Sequence, residues 1–125
     1  MSNEEKNQKY NLEERTTKFG EEVIDLAKKI PVNYVSKRLI PQLIASGTAV
    51  GANYCEADCA ESNKDFIHKM SIANKEAKES KYFLRMGARV YPNCSKEARR
   101  LWKEAYELNL IFTSIIRKSK NKLTK

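Results

Sequence analysis

Glycine and proline are scarce, 4 and 3 residues in a chain of 125. Sandwiches and barrels need a turn signal about every ten residues, so this shortage argues against an all-β fold. No apolar run approaches the roughly 20 residues of a membrane-spanning helix. Histidine occurs once, as His68. A bundle di-iron centre needs two carboxylate–histidine pairs and two further glutamates, so one subunit cannot build it. The three cysteines are an odd number, and an odd number cannot all pair. The first residues, "MSNEEKNQKYN", are polar and acidic, unlike a secretory signal or an Arg-rich transit peptide. Free thiols and a cytoplasmic location are therefore expected.

What is abundant is charge. Charged residues make up 32% and hydrophobic residues 41%, which suits long solvated helices around one core. The net charge of +8 is uneven. Residues 1–62 carry 8 Lys and Arg against 10 Asp and Glu, net −2, and residues 63–125 carry 16 against 6, net +10. Such asymmetry points to an acidic partner for the second half, most often a phosphate backbone; the alternative is a lysine-rich surface that only solvates.

Apolar residues recur at helical spacing in four stretches. Leu12, Thr16, Phe19, Val23, Leu26 and Ile30 step by four and three, and Pro31 ends that stretch because the residue before a proline leaves the helical region. Leu39, Leu43, Ser46, Val50, Asn53 and Ala57 step the same way, with Pro41 in the first turn, where its missing N–H costs little. Ser62 has the position of an N-cap, with Asp65 three residues on to reach back. Phe66, Met70, Ala73, Ala77, Ser80, Leu84 and Gly87 then share one face. "YPNCS" breaks this helix, and Ala98, Leu101, Ala105, Leu108, Phe112 and Ile115 mark the fourth. The expected architecture is all-α: an antiparallel up-down-up-down four-helix bundle. Its helices fall at about 11–30, 36–59, 63–90 and 96–119, between a flexible segment 1–10 and a flexible basic tail 121–125. Ile40, Ile44, Tyr54, Ile72, Phe83, Met86, Val90, Trp102, Tyr106 and Ile116 lie off these seams. Some widen the core stripe; the surplus suggests a subunit interface.

The corner "NYCEADCAESNKDF" concentrates Cys55, Cys59 and four acids, with His68 just beyond. A structural zinc site wants four ligands. Cys94 lies past the far end of the third helix, roughly 40 Å away, so Glu56, Asp58 or Glu61 would have to complete the set. Nucleophilic catalysis would need His68 as base to a thiol, with no Gly-rich anion loop beside it. No metal, cofactor or catalytic residue is therefore expected. Asn53 occupies a seam position where Leu would pack better, and a buried Asn can fix register or oligomer state. The corner reads as structural: Asn53 and Glu56 pin a turn that Ser62 and Asp65 cap.

These residues also carry a likeness. "ASGTAVGANYCEADCAESNKDFIHKMSIANKEAKESKYFLRM" resembles the four-helix-bundle proteins encoded in intervening sequences of bacterial 23S rRNA genes. Their usual pattern is a small-residue helix, Asn-Ile-Ala-Glu-Gly, a short polar turn, Ser-x-x-Glu-Phe, and a later Glu-rich segment before Tyr-Trp-Leu. Asn53, Glu56, Ser62 and Phe66 match outright, Ala57 stands for the glycine and Asp65 for the glutamate. Glu79, Tyr82 and Leu84 match the later segment, with Phe83 at the aromatic position. The turn "ADCAES" has neither the glycine nor the arginine common there. The likeness runs from about Phe19 to Lys118. It implies a ring-like homo-oligomer, with a pentamer as the expected stoichiometry, and no known catalysis. Relatives that accompany diversity-generating retroelements are basic bundles thought to bind nucleic acid and a reverse transcriptase, which makes RNA, DNA or a nucleic-acid-processing protein the implied partners.

The residues themselves supply a place for such a partner. Lys75, Lys78, Lys81, Arg85 and Arg89 fall within a roughly 120° arc of the third helix. Arg99, Arg100 and Lys103 follow on the fourth helix, and Arg117, Lys118, Lys120 and Lys122 near its end. A stripe with a basic arm is an electrostatic footprint for phosphate. The alternative is a structural scaffold or adaptor that binds a protein and whose charge is incidental. A membrane surface is not an expected partner, because no exposed apolar face backs the stripe.

Overall fold

The computed structural model describes residues 11–123, so the segment 1–10 and the last two residues lie outside the described residues. Four helices follow one another: α1 (Leu12–Lys29), α2 (Leu39–Asp58), α3 (Asn63–Val90) and α4 (Ser95–Leu123). A single 3-10 turn, Pro92–Cys94, joins the last two, and there is no strand among the described residues. Short connections make neighbours antiparallel, and α2–α3 and α3–α4 are the most extensive packings, as in an up-down-up-down bundle. No helix among the described residues is long and apolar enough to cross a membrane.

Local chemistry sets the ends. Asn11, in the left-handed region at φ 49°, opens α1, a conformation Asn tolerates better than most residues. After Pro31 the chain is held by Asn33 and Ser36. The Asn33 side-chain oxygen accepts from the N–H groups of Val35 and Ser36, at 2.9 and 3.0 Å. The buried Ser36 hydroxyl donates to the Pro31 carbonyl. This turn occupies residues 34–38, so α2 begins at Leu39 rather than near residue 36. Ser62 caps α3 by accepting from the Asp65 N–H at 3.0 Å.

The core is formed by Leu12, Phe19, Val23, Leu26, Leu43, Val50, Met70, Leu84, Leu101, Leu108 and Phe112 with smaller neighbours. α1 and α2 approach closely where Gly47 faces Val23. The α1–α4 side is held largely by charge. Arg15 binds Glu104 at 2.6 Å and Glu107 at 3.0 Å, Lys29 binds Glu97 at 2.7 Å, and Arg100 binds Glu22 at 2.9 Å. The Glu104 hydrogen bond is the main reason the Arg15 guanidinium lies above its ordinary pKa.

Two expectations are corrected. In α2 the buried position belongs to Tyr54; Asn53 is half-buried and donates to the Ala49 carbonyl of its own helix at 2.8 Å. Burial raises the Tyr54 phenol pKa, with Asp58, Glu13 and Cys55 adding to it. The asparagine buried in a helix seam is instead Asn109 of α4, which is 6% exposed. Its side-chain nitrogen donates to the Asn74 carbonyl at 2.9 Å and to the Asn74 side-chain oxygen at 2.8 Å, tying α4 to α3. The second concerns the off-seam apolar residues. Tyr54 is buried, and Ile40, Ile44, Phe83, Val90, Trp102 and Ile116 pack against the core. The exposed apolar set is largely different: Val32, Tyr34, Val35, Tyr82, Tyr106, Leu110 and Leu123.

Candidate nucleic-acid interface

The corner and the charged stripe have different fates in the fold. At the corner, Cys55, Cys59, Glu56 and His68 are exposed, while Phe66 enters the core. Glu56 pairs with Lys69 at 3.4 Å. Although Cys55 is exposed, partial desolvation of its thiol, with Glu13 and Asp58 nearby, pushes its pKa up, which disfavours the thiolate a metal or nucleophile requires. Cys94 is buried and likewise pushed up. No group of three or more His, Cys, Asp or Glu among the described residues is placed to hold a metal ion.

The stripe becomes one lip of a groove between α3 and α4. Three depressions of about 570, 380 and 460 Å³ run along it. The first two share Lys78, Thr113 and Arg117. The second and third are joined where Trp102 and Tyr106 stack, with Lys81 over both rings. From Ser71 to Ala88 the groove is about 25 Å long at 1.5 Å per residue. Lys75, Lys78, Lys81 and Arg85 line it from α3, and Arg99, Lys103, Arg117 and Lys120 from α4. No acidic residue lines any of the three depressions. In the floor itself, Asn74 donates to Thr113 at 3.2 Å and accepts from Asn109, so neutral polar bonds tie the two lips together.

The contrast with the other side of α4 is sharp. The depression between α1 and α4 is lined by Arg15, Lys18, Arg100 and Lys103 together with Glu22, Glu104 and Glu107, a set of mixed sign. At about 100° per residue, Glu97, Glu104 and Glu107 face α1 while Arg99, Lys103, Arg117 and Lys120 turn toward α3 or outward.

Four residues expected in the stripe lie elsewhere. Arg100 turns to α1 and is neutralised by Glu22. Arg89, Lys118 and Lys122 are exposed but line none of the three groove depressions. Arg117 lies within α4 as expected, and Lys120 and Lys122 are helical too: α4 continues to Leu123, past the expected end near residue 119. Its last turns are docked by Ser119, which is buried and whose carbonyl accepts from the Asn63 side chain at 3.0 Å. Trp102 and Tyr106 were legible only as surplus apolar residues; their spacing of four, beside Arg99 and Lys103, is the signal that places them in the groove.

The sequence profile of the 23S rRNA-intervening sequence proteins matches residues 8–114. The chain belongs to that family. As an intervening-sequence protein it also matches a solved structure closely. This is a protein of unknown function from the S23 ribosomal protein family of Bacteroides thetaiotaomicron, 29% identical, with a TM-score of 0.75 over 86% of this chain and 96% of that one. No curated protein matches the chain. In this intervening-sequence protein the family match ends at residue 114, so the groove's Arg117 and Lys120 lie beyond it.

Proposed function

We infer that the protein is a non-enzymatic homo-oligomeric bundle that binds nucleic acid through the α3–α4 groove. The observation that carries this is the sorting of charge on α4. Its acids turn to α1 and are neutralised by Arg15 and Lys29. Of its cations, Arg100 pairs with Glu22 of α1 and Lys103 also borders the α1–α4 depression. Arg99, Lys103, Arg117 and Lys120, however, line the α3 side, where they meet a second row of cations in depressions that no acid lines. Facing rows of like charge work against the compact fold. A phosphate backbone relieves that repulsion and gains the entropy of released counterions. A surface charged only for solubility has no reason to sort its signs between two sides of one helix.

The groove side chains are cations, amides, hydroxyls, aromatics and aliphatics, with no nucleophile–base pair among them, which favours binding over catalysis. The homo-oligomer, with the pentamer that the family likeness implies, is part of the same reading. Val32, Tyr34 and Val35, 80, 88 and 65% exposed on the α1–α2 connection, support it, because adjacent exposed apolar residues mark an interface.

The test is a titration against RNA at several salt concentrations. Lys75→Glu, Lys78→Glu and Arg117→Glu together weaken binding and flatten the log–log salt slope by roughly 0.7 for each phosphate no longer neutralised. Lys18→Glu, Lys28→Glu and Lys64→Glu change net charge equally but lie on exposed positions of α1 and the start of α3. Equal losses from both triple variants would show that net charge, not the groove, binds. No binding at low salt would move the reading to a protein scaffold.

A further inference from the structure

Charge alone attracts any phosphate backbone, whether or not its bases are paired. The middle of the groove adds something that charge does not require. Trp102 and Tyr106, one turn apart on α4, lie parallel, with ring centroids 5.7 Å apart and planes within 5°. Lys81 of α3 places its ammonium 5.5 Å from one centroid and 5.3 Å from the other. The three points form a nearly equilateral triangle, so one cation serves two ring faces. Tyr106 remains 45% exposed, and Leu110, one further turn along α4, is exposed as well. An apolar, aromatic strip thus runs through an otherwise cationic groove.

We propose that the Trp102–Tyr106 pair is a stacking platform for an unpaired base, which makes single-stranded nucleic acid the preferred ligand of the groove. The proposal rests on the nucleic-acid reading above. Within a duplex both faces of each base are already stacked, whereas an unpaired base offers its π-face to an aromatic side chain. Phosphates on Lys78 and Arg117 to one side, and on Arg85 and Lys103 to the other, bracket the platform. Lys81 occupies the ring faces in the free protein. An arriving phosphate draws its ammonium aside, and the base takes its place on the rings. Stacking is tolerant of base identity because every base has a π-face, so the groove discriminates by strandedness and little by sequence.

Trp102 is the chain's single tryptophan, so intrinsic fluorescence reports on the platform directly. The ligands are a single-stranded RNA 12-mer, a DNA 12-mer of the same sequence, and the duplex of each, a length of about twelve nucleotides being within single-strand site sizes. Single strands should quench Trp102 and bind more tightly than duplexes at the same salt. Tyr106→Ala should lower single-strand affinity by roughly tenfold, as loss of one stacked base does. It should leave duplex affinity and the salt slope unchanged. Lys81→Met should keep the quench and flatten the slope by roughly 0.7. Tighter binding of the RNA strand assigns a ligand read through its 2′-hydroxyls, and equal binding assigns the shared phosphate-and-base chemistry. Equal affinity for single strands and duplexes, without quench and without an effect of Tyr106→Ala, would overturn the platform and leave the charged groove standing. Failure to bind any of the four ligands at low salt would overturn both.

Discussion

Gly47→Ala and Gly20→Ala are the same chemical change on two facing helices, and the structure gives them opposite signs. Each replaces a helical glycine, so each gains about 1 kcal/mol of helix propensity. A Cβ at Gly20 would meet Gly47 and Thr48 at 3.6 to 3.8 Å, ordinary van der Waals distances. A Cβ at Gly47 would meet Val23 Cγ1 at 2.6 Å, its Cβ at 2.9 Å and its Cγ2 at 3.0 Å. Val23 is fully buried and β-branched, with one strongly preferred rotamer in a helix. Its Cβ cannot move without the backbone, so α1 must shift off α2. Overpacking of this kind costs about 1–3 kcal/mol, and a clash with no flexible end belongs in the upper part of that range. Gly20→Ala should therefore stabilise by up to about 1 kcal/mol, and Gly47→Ala should destabilise by about 1–2 kcal/mol net. Urea unfolding followed by far-UV circular dichroism, at one protein concentration, should separate the two midpoints by about 1 M or more. Adding Val23→Ala to Gly47→Ala should cost less than Val23→Ala alone, because the new methyl fills part of the space it vacates. If Gly47→Ala were as stable as Gly20→Ala, or showed no coupling to Val23→Ala, the close approach of α1 and α2 would be wrong.

Two further outcomes follow from burial and exposure. Burial, helped by Glu79 and opposed by Lys75, holds the Glu76 carboxyl above its ordinary pKa. A carboxyl raised in the folded state makes the protein less stable once ionised, and stability returns as pH falls through the folded value. Glu76→Gln should thus be more stable than the parent at neutral pH, with the gap narrowing as pH falls through the raised folded value and gone by the unfolded value of about 4.3; a gap independent of pH would contradict it. The exposed Val32, Tyr34 and Val35 lead us to expect sedimentation, at micromolar concentration, of a closed species several times 14.4 kDa. Replacing all three with serine should shift it toward monomer without loss of helicity. A monomer at every concentration would sink the oligomer.

The helices were legible because their ends are written locally. Pro31, Ser62 and the "YPNCS" break each act within a few residues of themselves, and the four core stripes repeat at 3.6. Phase was less legible. In α2 both Leu43-Ser46-Val50-Asn53 and Leu43-Gly47-Val50-Tyr54 fit alternating steps of three and four. Neighbours 100° apart can each claim the seam, and the larger apolar side chain takes it. The same ambiguity hid Asn109 beside Leu108. Groove residues near in sequence, such as Lys75, Lys78 and Lys81, could be placed from spacing on one helix. Arg100 could not, because its partner Glu22 lies 78 residues away. Residues 121–123 read as part of a loose tail because nothing local shows that Asn63 docks the carbonyl of Ser119 and holds the last turns of α4.

The central claim is that nucleic acid lies in the α3–α4 groove, and lysine footprinting tests it where it is made. The intact protein is acylated with and without a saturating single-stranded RNA, and the rate at each lysine is read by mass spectrometry. Lys75, Lys78, Lys81, Lys103 and Lys120, which line the groove, should be protected together, while the exposed Lys18, Lys28 and Lys64 keep their free rates. Protection spread evenly over all eight, or confined to Lys18, Lys28 and Lys64, would contradict the account.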